Sequence, residues 1–360
     1  MRPLPTRIFS GEWDGGHVQG IAVDFDKGYI YYSFTTVLVK SDPEGHILGS
    51  VGGLTGHLGC IDFNPADGCV YGSLEFKRDA IGVGIARHLG LSPDDLPPDA
   101  FFCAVFDVDR IDRPGMDAWA DGVMLAAHLP EVTADYVGCE PDGRPHIRGC
   151  SGIDGTGFGP GFADRVPGRL HIAYGIYGET DRVDNDCQVI LEFDPADIRR
   201  EARPLSVRTL ADQPDGFRSA GARCLGRYFL YTGNTEYGIQ NLKYDAYLDR
   251  WLVCVYRGRK PQFDNADLYM IDASVPPVWG QVPGRGEEGH LLTLAKPAPS
   301  GASLDAPAGW HWYGGQEGVV PVGDGRYYFS VSRRPKGYTS TVELRRWEPD
   351  DPRMPFVLCE

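Results

Sequence analysis

The sequence lacks any long hydrophobic run, since no stretch approaches the roughly 20 apolar residues that a membrane-spanning helix needs. Its opening segment, MRPLPTRIFSGEWDGG, does not contain the apolar stretch of about 7 to 15 residues found in secretory signals. These two absences, together with the cysteine pattern described below, predict a cytoplasmic protein that has no membrane partner.

Basic charge is also scarce. The chain has 35 lysines and arginines against 50 aspartates and glutamates, which gives a formal net charge of −15 at pH 7. No local run of basic residues offsets this excess of acidic groups. Because such a surface repels phosphate groups, nucleic acid and anionic membranes are excluded as expected partners.

The cysteine pattern argues against a disulfide framework or a zinc cluster. The nine cysteines are odd in number, none forms a C-x-x-C motif, and several lie in apolar runs such as WLVCVY and FFCAVF. This pattern is typical of reduced, buried thiols. The G-x-S-x-G motif of serine hydrolases is absent as well.

Helical periodicity is nearly absent, whereas 47 glycines and 28 prolines indicate many turns between short strands. The best helical segment is DAIGVGIARHLGLSPDDL, residues 79–96, which we expect to be an insertion between strands. The composition therefore favours an all-β fold.

One segment occurs twice in related form. Residues 17–34, HVQGIAVDFDKGYIYYSF, align without a gap with residues 57–74, HLGCIDFNPADGCVYGSL. The identical pairs, all at the same spacing, include His17/His57, Ile21/Ile61, Gly28/Gly68, Tyr31/Tyr71 and Ser33/Ser73. A repeat of this length, containing a strand, a glycine turn and another strand, is typical of one propeller blade.

The whole chain, 1–360, is predicted to be a single β-propeller of five blades with four antiparallel strands each. The approximate blade bounds are 15–55, 56–135, 148–212, 220–296 and 308–360. RPLSVRTL would be the fourth strand of blade three, and HLLTLAK would belong to blade four. The N-terminal TRIFSGE would add an outer strand to the last blade and help close the ring. A pair of β-sandwiches is disfavoured because it would not explain the regular repeat.

Polar residues are expected to converge where the innermost strand of each blade enters the central channel. The candidate catalytic residues are Asp154, Glu236, Glu317, His311 and Tyr237. The candidate substrate-binding residues are Gln19, Gln240, Asn241, Trp310, Tyr313 and Gln316. Amide side chains suit a hydroxyl-rich ligand because they donate and accept hydrogen bonds at once, and aromatic rings stack on sugar faces.

His17 and His57 occupy equivalent positions, and two interpretations stay open. Each imidazole would bond the backbone of a neighbouring blade, or the two would share an axial site. That site would hold a divalent metal (calcium, manganese or zinc) with glutamine or carboxylate oxygens, or it would be a polar substrate pocket.

The two units resemble β-propeller repeats, and QGIAVD followed by GYIYYS is similar to the NHL type. The architecture resembles five-bladed glycoside hydrolases such as arabinanases and fructosidases. In its histidines and glutamines it resembles propeller polysaccharide lyases that assemble these residues around an axial metal. The resemblance implies carbohydrate chemistry, although a fold alone does not decide function.

These observations predict an enzyme that cleaves a glycosidic bond in a small saccharide or glycoside. Hydrolysis, in which two of Asp154, Glu236 and Glu317 act as acid and base, is preferred on the number of carboxylates, with Glu75 a weaker fourth candidate. In β-elimination, a base or metal ligand (His17, His57 or His311) would act with Tyr237 or Tyr313 as the proton donor. The alternative is a non-catalytic propeller that binds a ligand or a protein.

Overall fold

The computed structural model describes residues 4–205, 221–296, 309–348 and 354–360. Its strands are, in chain order, β1 Arg7–Trp13, β2 Val18–Asp24, β3 Tyr29–Phe34, β4 Val37–Ser41, β5 Ile47–Gly52, β6 His57–Asn64, β7 Cys69–Phe76, β8 Ala100–Phe106, β9 Met116–Asp117, β10 Met124–His128, β11 Cys150–Gly159, β12 Arg169–Ile176, β13 Cys187–Phe193, β14 Cys224–Tyr231, β15 Thr235–Asp245, β16 Arg250–Arg257, β17 Leu268–Asp272, β18 Val278–Gln281, β19 Glu288–Leu291, β20 Val319–Gly323, β21 Arg326–Arg333, β22 Tyr338–Trp347 and β23 Phe356–Leu358. The α-helices are α1 Ala80–His88, α2 Pro130–Val137 and α3 Pro195–Glu201.

The strands form five sheets, which are the five blades of a β-propeller. From the axis outward, blade one is β2-β3-β4-β5-β9, blade two is β6-β7-β8-β10, blade three is β11-β12-β13-β14-β19-β18, blade four is β15-β16-β17, and blade five is β20-β21-β22 with β1 and β23. The innermost strands contact one another in a closed ring, β2-β6-β11-β15-β20 and back to β2. The predicted five-bladed fold is confirmed.

The ring is closed by the N-terminal strand. β1 pairs antiparallel with β22, with Arg7 opposite Glu343, so the first segment of the chain completes the last blade as predicted. This pairing covers a backbone edge that would otherwise be left open.

One outer strand differs from the prediction and a second differs in part. β14 rather than residues 203–210 is the fourth strand of blade three. Arg203 instead bridges Ala126 of blade two, and residues 206–220 lie outside the described part.

The segment predicted as the last strand of blade four divides between two blades. Its first two residues, His290 and Leu291, belong to β19, which runs parallel to β14 and extends blade three. Leu294 bridges Ile271 of β17, so the rest of the segment joins blade four as predicted. An unpaired outer edge accepts whichever segment can reach it, and this depends on tertiary contacts rather than on local sequence.

The repeat is explained by contacts between adjacent blades. Ser33 Oγ of blade one donates a hydrogen bond to the carbonyl oxygen of Gly59 in blade two, at 2.7 Å. Its counterpart Ser73 Oγ donates to the carbonyl oxygen of Asp154 in blade three, at 2.8 Å. The same residue therefore performs the same task at two successive blade junctions.

The expected thiols and the expected helical insertion are both present. All nine cysteines are free thiols, and six of them are buried. α1 lies between β7 and β8, inside the segment predicted to be a helical insertion. Among the described residues, no helix has the length and apolar composition required to span a membrane.

Candidate functional site

A cavity of about 680 Å³ opens where the innermost strands of blades one to four begin. Its polar lining includes His17, Gln19, His57, Glu75, Lys77, Asp154, Tyr237, Gln240 and Tyr256. The volume lies within the range of roughly 300 to 1,000 Å³ that is usual for small-molecule sites. Six residues predicted to converge on the axis are therefore brought together: His17, Gln19, His57, Asp154, Tyr237 and Gln240.

β-Bulges shape this end of the propeller. The pairing of β2, β6, β11 and β15 shifts register near the cavity, in β15 between Glu236 and Ile239. Within that bulge Tyr237 has a φ of 64° and Gly238 has a φ of 69°. A Cβ atom on Gly238 would lie 2.3 Å from the carbonyl oxygen of Tyr174, so glycine is required there. The left-handed backbone is a local strain of the kind that clusters at functional sites.

Glu75 and Lys77 form a buried ion pair at the end of β7, with Lys77 Nζ 2.6 Å from Glu75 Oε1. Glu75 Oε2 accepts a hydrogen bond from the backbone N–H of Ile153 at 3.0 Å, and Lys77 Nζ donates to the carbonyl oxygen of Ser151 at 2.8 Å. Burial raises the pKa of Glu75 against the lowering effect of Lys77. Burial lowers the pKa of Lys77, but the Glu75 and Asp79 carboxylates outweigh it and raise that pKa above its ordinary value. The ammonium group stays charged beside Glu75.

Asp154 lies in a different environment in the same cavity. Its Oδ2 accepts a hydrogen bond from Gln240 Nε2 at 3.1 Å, whereas its Oδ1 is buried without a hydrogen-bond partner. Burial and then the negative charge of Glu75 raise the pKa of Asp154 well above its ordinary value. Because an ionised oxygen without a donor is costly to bury, the surroundings of Asp154 favour its protonated form.

The two repeated histidines are neutral. Burial, followed by the charges of Lys77 and His17, lowers the pKa of His57 to about 3. His57 Nδ1 is buried without a hydrogen-bond partner and lies 3.6 Å from Glu75 Oε1. Burial also lowers the pKa of His17, whose Nε2 is 3.0 Å from Gln19 Nε2 and must accept from that amide. His57 therefore presents a polar atom that nothing in the described protein satisfies.

Several predicted site residues do not line the cavity. Glu236 pairs with Arg259 at the surface, and His311, whose side chain is 44% exposed, lies 2.9 Å from Asp264. Glu317 Oε2 accepts a hydrogen bond from the N–H of Ser332, at 2.9 Å.

The predicted aromatic pair divides between core and surface. Trp310 was expected in a binding loop, but its side chain is 2% exposed and packs against Trp347 in the core. Tyr313 is 61% exposed and stacks on Tyr256 with ring centroids 6.3 Å apart, outside the cavity.

Asn241 and Gln316 hold the propeller together. Asn241 Nδ2 donates to the carbonyl oxygens of Gln19 and Gln316, both at 2.9 Å. Gln316 Nε2 donates to the carbonyl oxygen of Val255 at 3.0 Å. These amides satisfy buried backbone groups at the junctions of blades, so their polar character is explained by structure.

Sequence reasoning missed Lys77 and Tyr256 and ranked Glu75 too low. The sequence did contain a signal for Glu75 and Lys77. The two residues alternate in GSLEFK, at the end of an otherwise apolar strand. Residues two apart in a strand share one face, so two opposite charges at this position indicate a buried pair.

The expected metal does not fit this arrangement. Among the described residues, no three His, Cys, Asp or Glu side chains are placed so that they could hold a metal ion. The Lys77 ammonium also lies against the Glu75 carboxylate, where a divalent cation would be repelled. The structure therefore does not support His17 and His57 as metal ligands.

No protein-family model matches the chain, and no curated protein sequence matches it. Among solved structures, the PQQ-bound aldose sugar dehydrogenase of Streptomyces coelicolor is similar at 11% identity, with a TM-score of 0.33, over 95% of this chain and 100% of that one. The PQQ domain of pyranose dehydrogenase from Coprinopsis cinerea is similar at 12% identity, with a TM-score of 0.39, over 90% of this chain and 81% of that one. A calcium structure of the Trichoderma reesei family AA12 enzyme has 10% identity and a TM-score of 0.37, over 89% and 80% of the two chains. Similarity at this level assigns no activity.

Proposed function

We propose that the axial cavity is the active site of an enzyme that hydrolyses the glycosidic bond of a small carbohydrate substrate. The observation that supports this proposal is the pair of carboxyl groups in one cavity, Glu75 beside a cation and Asp154 without one. Glycoside hydrolysis uses two carboxyl groups in different protonation states, and different surroundings are what separate their pKa values.

Asp154 is the general acid in this proposal. Its proton passes to the glycosidic oxygen as the bond from that oxygen to the anomeric carbon breaks. Glu75 takes a proton from the water molecule whose oxygen bonds to the anomeric carbon. Lys77 keeps Glu75 in place, and Gln240 orients the acid.

The other polar groups suit a hydroxyl-rich substrate. The buried Nδ1 of His57 lacks a partner that a sugar hydroxyl would supply. Gln19 and Gln240 offer amides, and Tyr237 offers a ring on the cavity wall. Hydrolysis is favoured over β-elimination because the His57 imidazole, with a pKa of about 3, is too weak a base to remove a carbon-bound proton.

The experiment compares two leaving groups on the same sugar. A panel of 4-nitrophenyl and methyl glycosides is offered to the wild type, Asp154→Asn, Glu75→Gln and the control Glu236→Gln. We expect Asp154→Asn to lower kcat/KM about 10²- to 10⁴-fold for methyl glycosides and much less for nitrophenyl glycosides, whose leaving group needs no proton. Glu75→Gln should impair both, and Glu236→Gln neither.

The pH profile gives a second measurement. Because the acid must be protonated, the wild-type kcat/KM for methyl glycosides should fall as pH rises through the raised pKa of Asp154. This fall should be absent in the nitrophenyl series. Tight sugar binding without cleavage would instead support a non-catalytic binding propeller, and equal damage from Glu236→Gln would refute the assignment of residues.

A further inference from the structure

Helix α1 supplies one wall of the cavity and differs from the strand-built walls. Ile81, Gly84 and Ile85 all line the cavity, and their spacing of three and four residues places them on one face of the helix. Ile81 is 36% exposed although it is apolar. The cavity therefore has a polar side, with Asp154 and the Glu75–Lys77 pair, and an apolar side.

Two glycines in α1 have different reasons for being there. A Cβ atom on Gly82 would lie 1.7 Å from the carbonyl oxygen of Lys77, so the close approach of the backbone requires glycine. A Cβ atom on Gly84 would have nothing within 4 Å, and its φ lies in the ordinary range. Glycine is a poor residue in a helix interior, and no contact within the described protein explains it at Gly84. Gly84 is itself one of the residues that line the cavity.

The wall is held across the cavity mouth. His88, at the end of α1, has its Nε2 2.9 Å from the carbonyl oxygen of Asp14, in the connection between β1 and β2. Asp79 caps the other end of the helix by accepting from the N–H groups of Ile81 and Gly82. The apolar face is thus positioned at both ends.

We propose that this face of α1 binds an apolar aglycone and that Gly84 determines specificity by leaving room for it. The substrate is then a glycoside of an apolar alcohol rather than an oligosaccharide. The inference rests on the proposed function, since the sugar would occupy the polar side, near Asp154. An aglycone lying along Ile81, Gly84 and Ile85 would remove their apolar surface from water.

The test uses hexyl and methyl 1-thioglycosides of each sugar in the panel, because these ligands differ only in the alkyl group and resist hydrolysis. Calorimetry should show the hexyl compound binding at least tenfold more tightly, which burial of two or three methylene groups provides. Gly84→Leu should abolish this preference and leave methyl thioglycoside binding within twofold of the wild type. Gly286→Leu is the matched control, since a Cβ there also meets open space, away from the cavity.

A second variant, Ile81→Gln, keeps the test valid if Gly84→Leu unfolds, and it should weaken the hexyl ligand selectively. Equal binding of hexyl and methyl ligands, or an unchanged preference in a folded Gly84→Leu protein, overturns the aglycone site. Cleavage of the corresponding O-glycosides is measured separately. Cleavage without alkyl preference refutes the aglycone site alone, and alkyl preference without cleavage refutes hydrolysis alone. If the protein shows no cleavage and no alkyl preference, both proposals are refuted.

Discussion

The two ends of the propeller axis have cavities of similar size and different chemistry. The candidate site measures about 680 Å³, and the cavity where the inner strands end measures about 590 Å³. Each has a buried lysine beside a carboxylate. Lys77 is 2.6 Å from Glu75 at the first end, and Lys243 is 3.1 Å from Asp62 at the second.

The difference lies in what surrounds each pair. Lys243 also donates to the carbonyl oxygens of Ile61 and Thr156, and Asp62 Oδ2 accepts from the N–H of Phe158 at 2.8 Å. Beside the Lys77 pair, by contrast, His57 Nδ1 and Asp154 Oδ1 are buried without partners. A buried ion pair alone therefore indicates structure, whereas unpaired polar atoms of residues that line a cavity beside it indicate a place for a ligand.

The largest effect is expected from removing the lysine at each end. Lys77→Met and Lys243→Met each leave a carboxylate without its cation, which typically lowers the free energy of unfolding by about 3–5 kcal/mol. Urea unfolding should show a similar loss for both variants. Only Lys77→Met should also abolish hydrolysis at a temperature where both are folded, and equal loss of activity in Lys243→Met would remove the distinction between the two ends.

The next effect concerns buried histidines. His57→Leu removes a polar group that has an unsatisfied atom, so the free energy of unfolding should stay the same or rise while ligand binding is lost. His171 is a fully buried core counterpart whose Nδ1 also lacks a partner, but its Nε2 lies 3.1 Å from Glu192. His171→Leu should lower the free energy of unfolding by about 1–3 kcal/mol, because Glu192 loses a buried donor. A destabilised His57→Leu protein would favour a structural role for the repeated histidine.

The fold could be predicted where the sequence repeats a structural task. Ser33 and Ser73 bond the next blade in the same way, and the repeat follows from that contact. The outer strands were not predictable in the same way. Residues 203–210 have a strand-like pattern that is as clear as that of β14, yet β14 is the fourth strand of blade three and pairs with β19. Which segment takes that place depends on tertiary contacts.

The candidate site was predicted to the extent that strand ends converge. The limit is visible at Gln240 and Asn241, which are adjacent and equally polar. Gln240 lines the cavity, whereas Asn241 bonds the backbone at a blade junction. Strict alternation places neighbouring residues on opposite faces of a strand, but a bulge changes which of them faces the cavity. The register of β15 shifts between Ile239 and Asn241, and a sequence does not show where a bulge lies.

A smaller effect is expected in the pH dependence of stability. The folded protein holds the Asp154 proton at a pH where the unfolded chain has released it, so the free energy of unfolding falls as pH rises from about 3.8 toward the raised pKa. Asp154→Asn removes this dependence and should be more stable than the wild type near pH 7. A tenfold difference in proton affinity corresponds to about 1.4 kcal/mol. Urea unfolding of both proteins from pH 4 to 8 measures it, and Asp62→Asn, at the satisfied end, should show no such gain.

The smallest effect is expected at the two glycines of α1, which repeat the comparison within one helix. Gly84→Ala adds a methyl group in open space and improves helix propensity, so the free energy of unfolding should rise by about 1 kcal/mol and Tm by about 2 °C. Gly82→Ala places its methyl group against the Lys77 carbonyl and should lower Tm instead. That carbonyl belongs to Lys77, whose ammonium group pairs with Glu75. Gly82→Ala should therefore also reduce hydrolysis, whereas Gly84→Ala should not affect cleavage of methyl glycosides. Opposite shifts in thermal unfolding would separate a glycine required by backbone packing from one whose space serves the ligand, and equal shifts would show that the helix does not distinguish them.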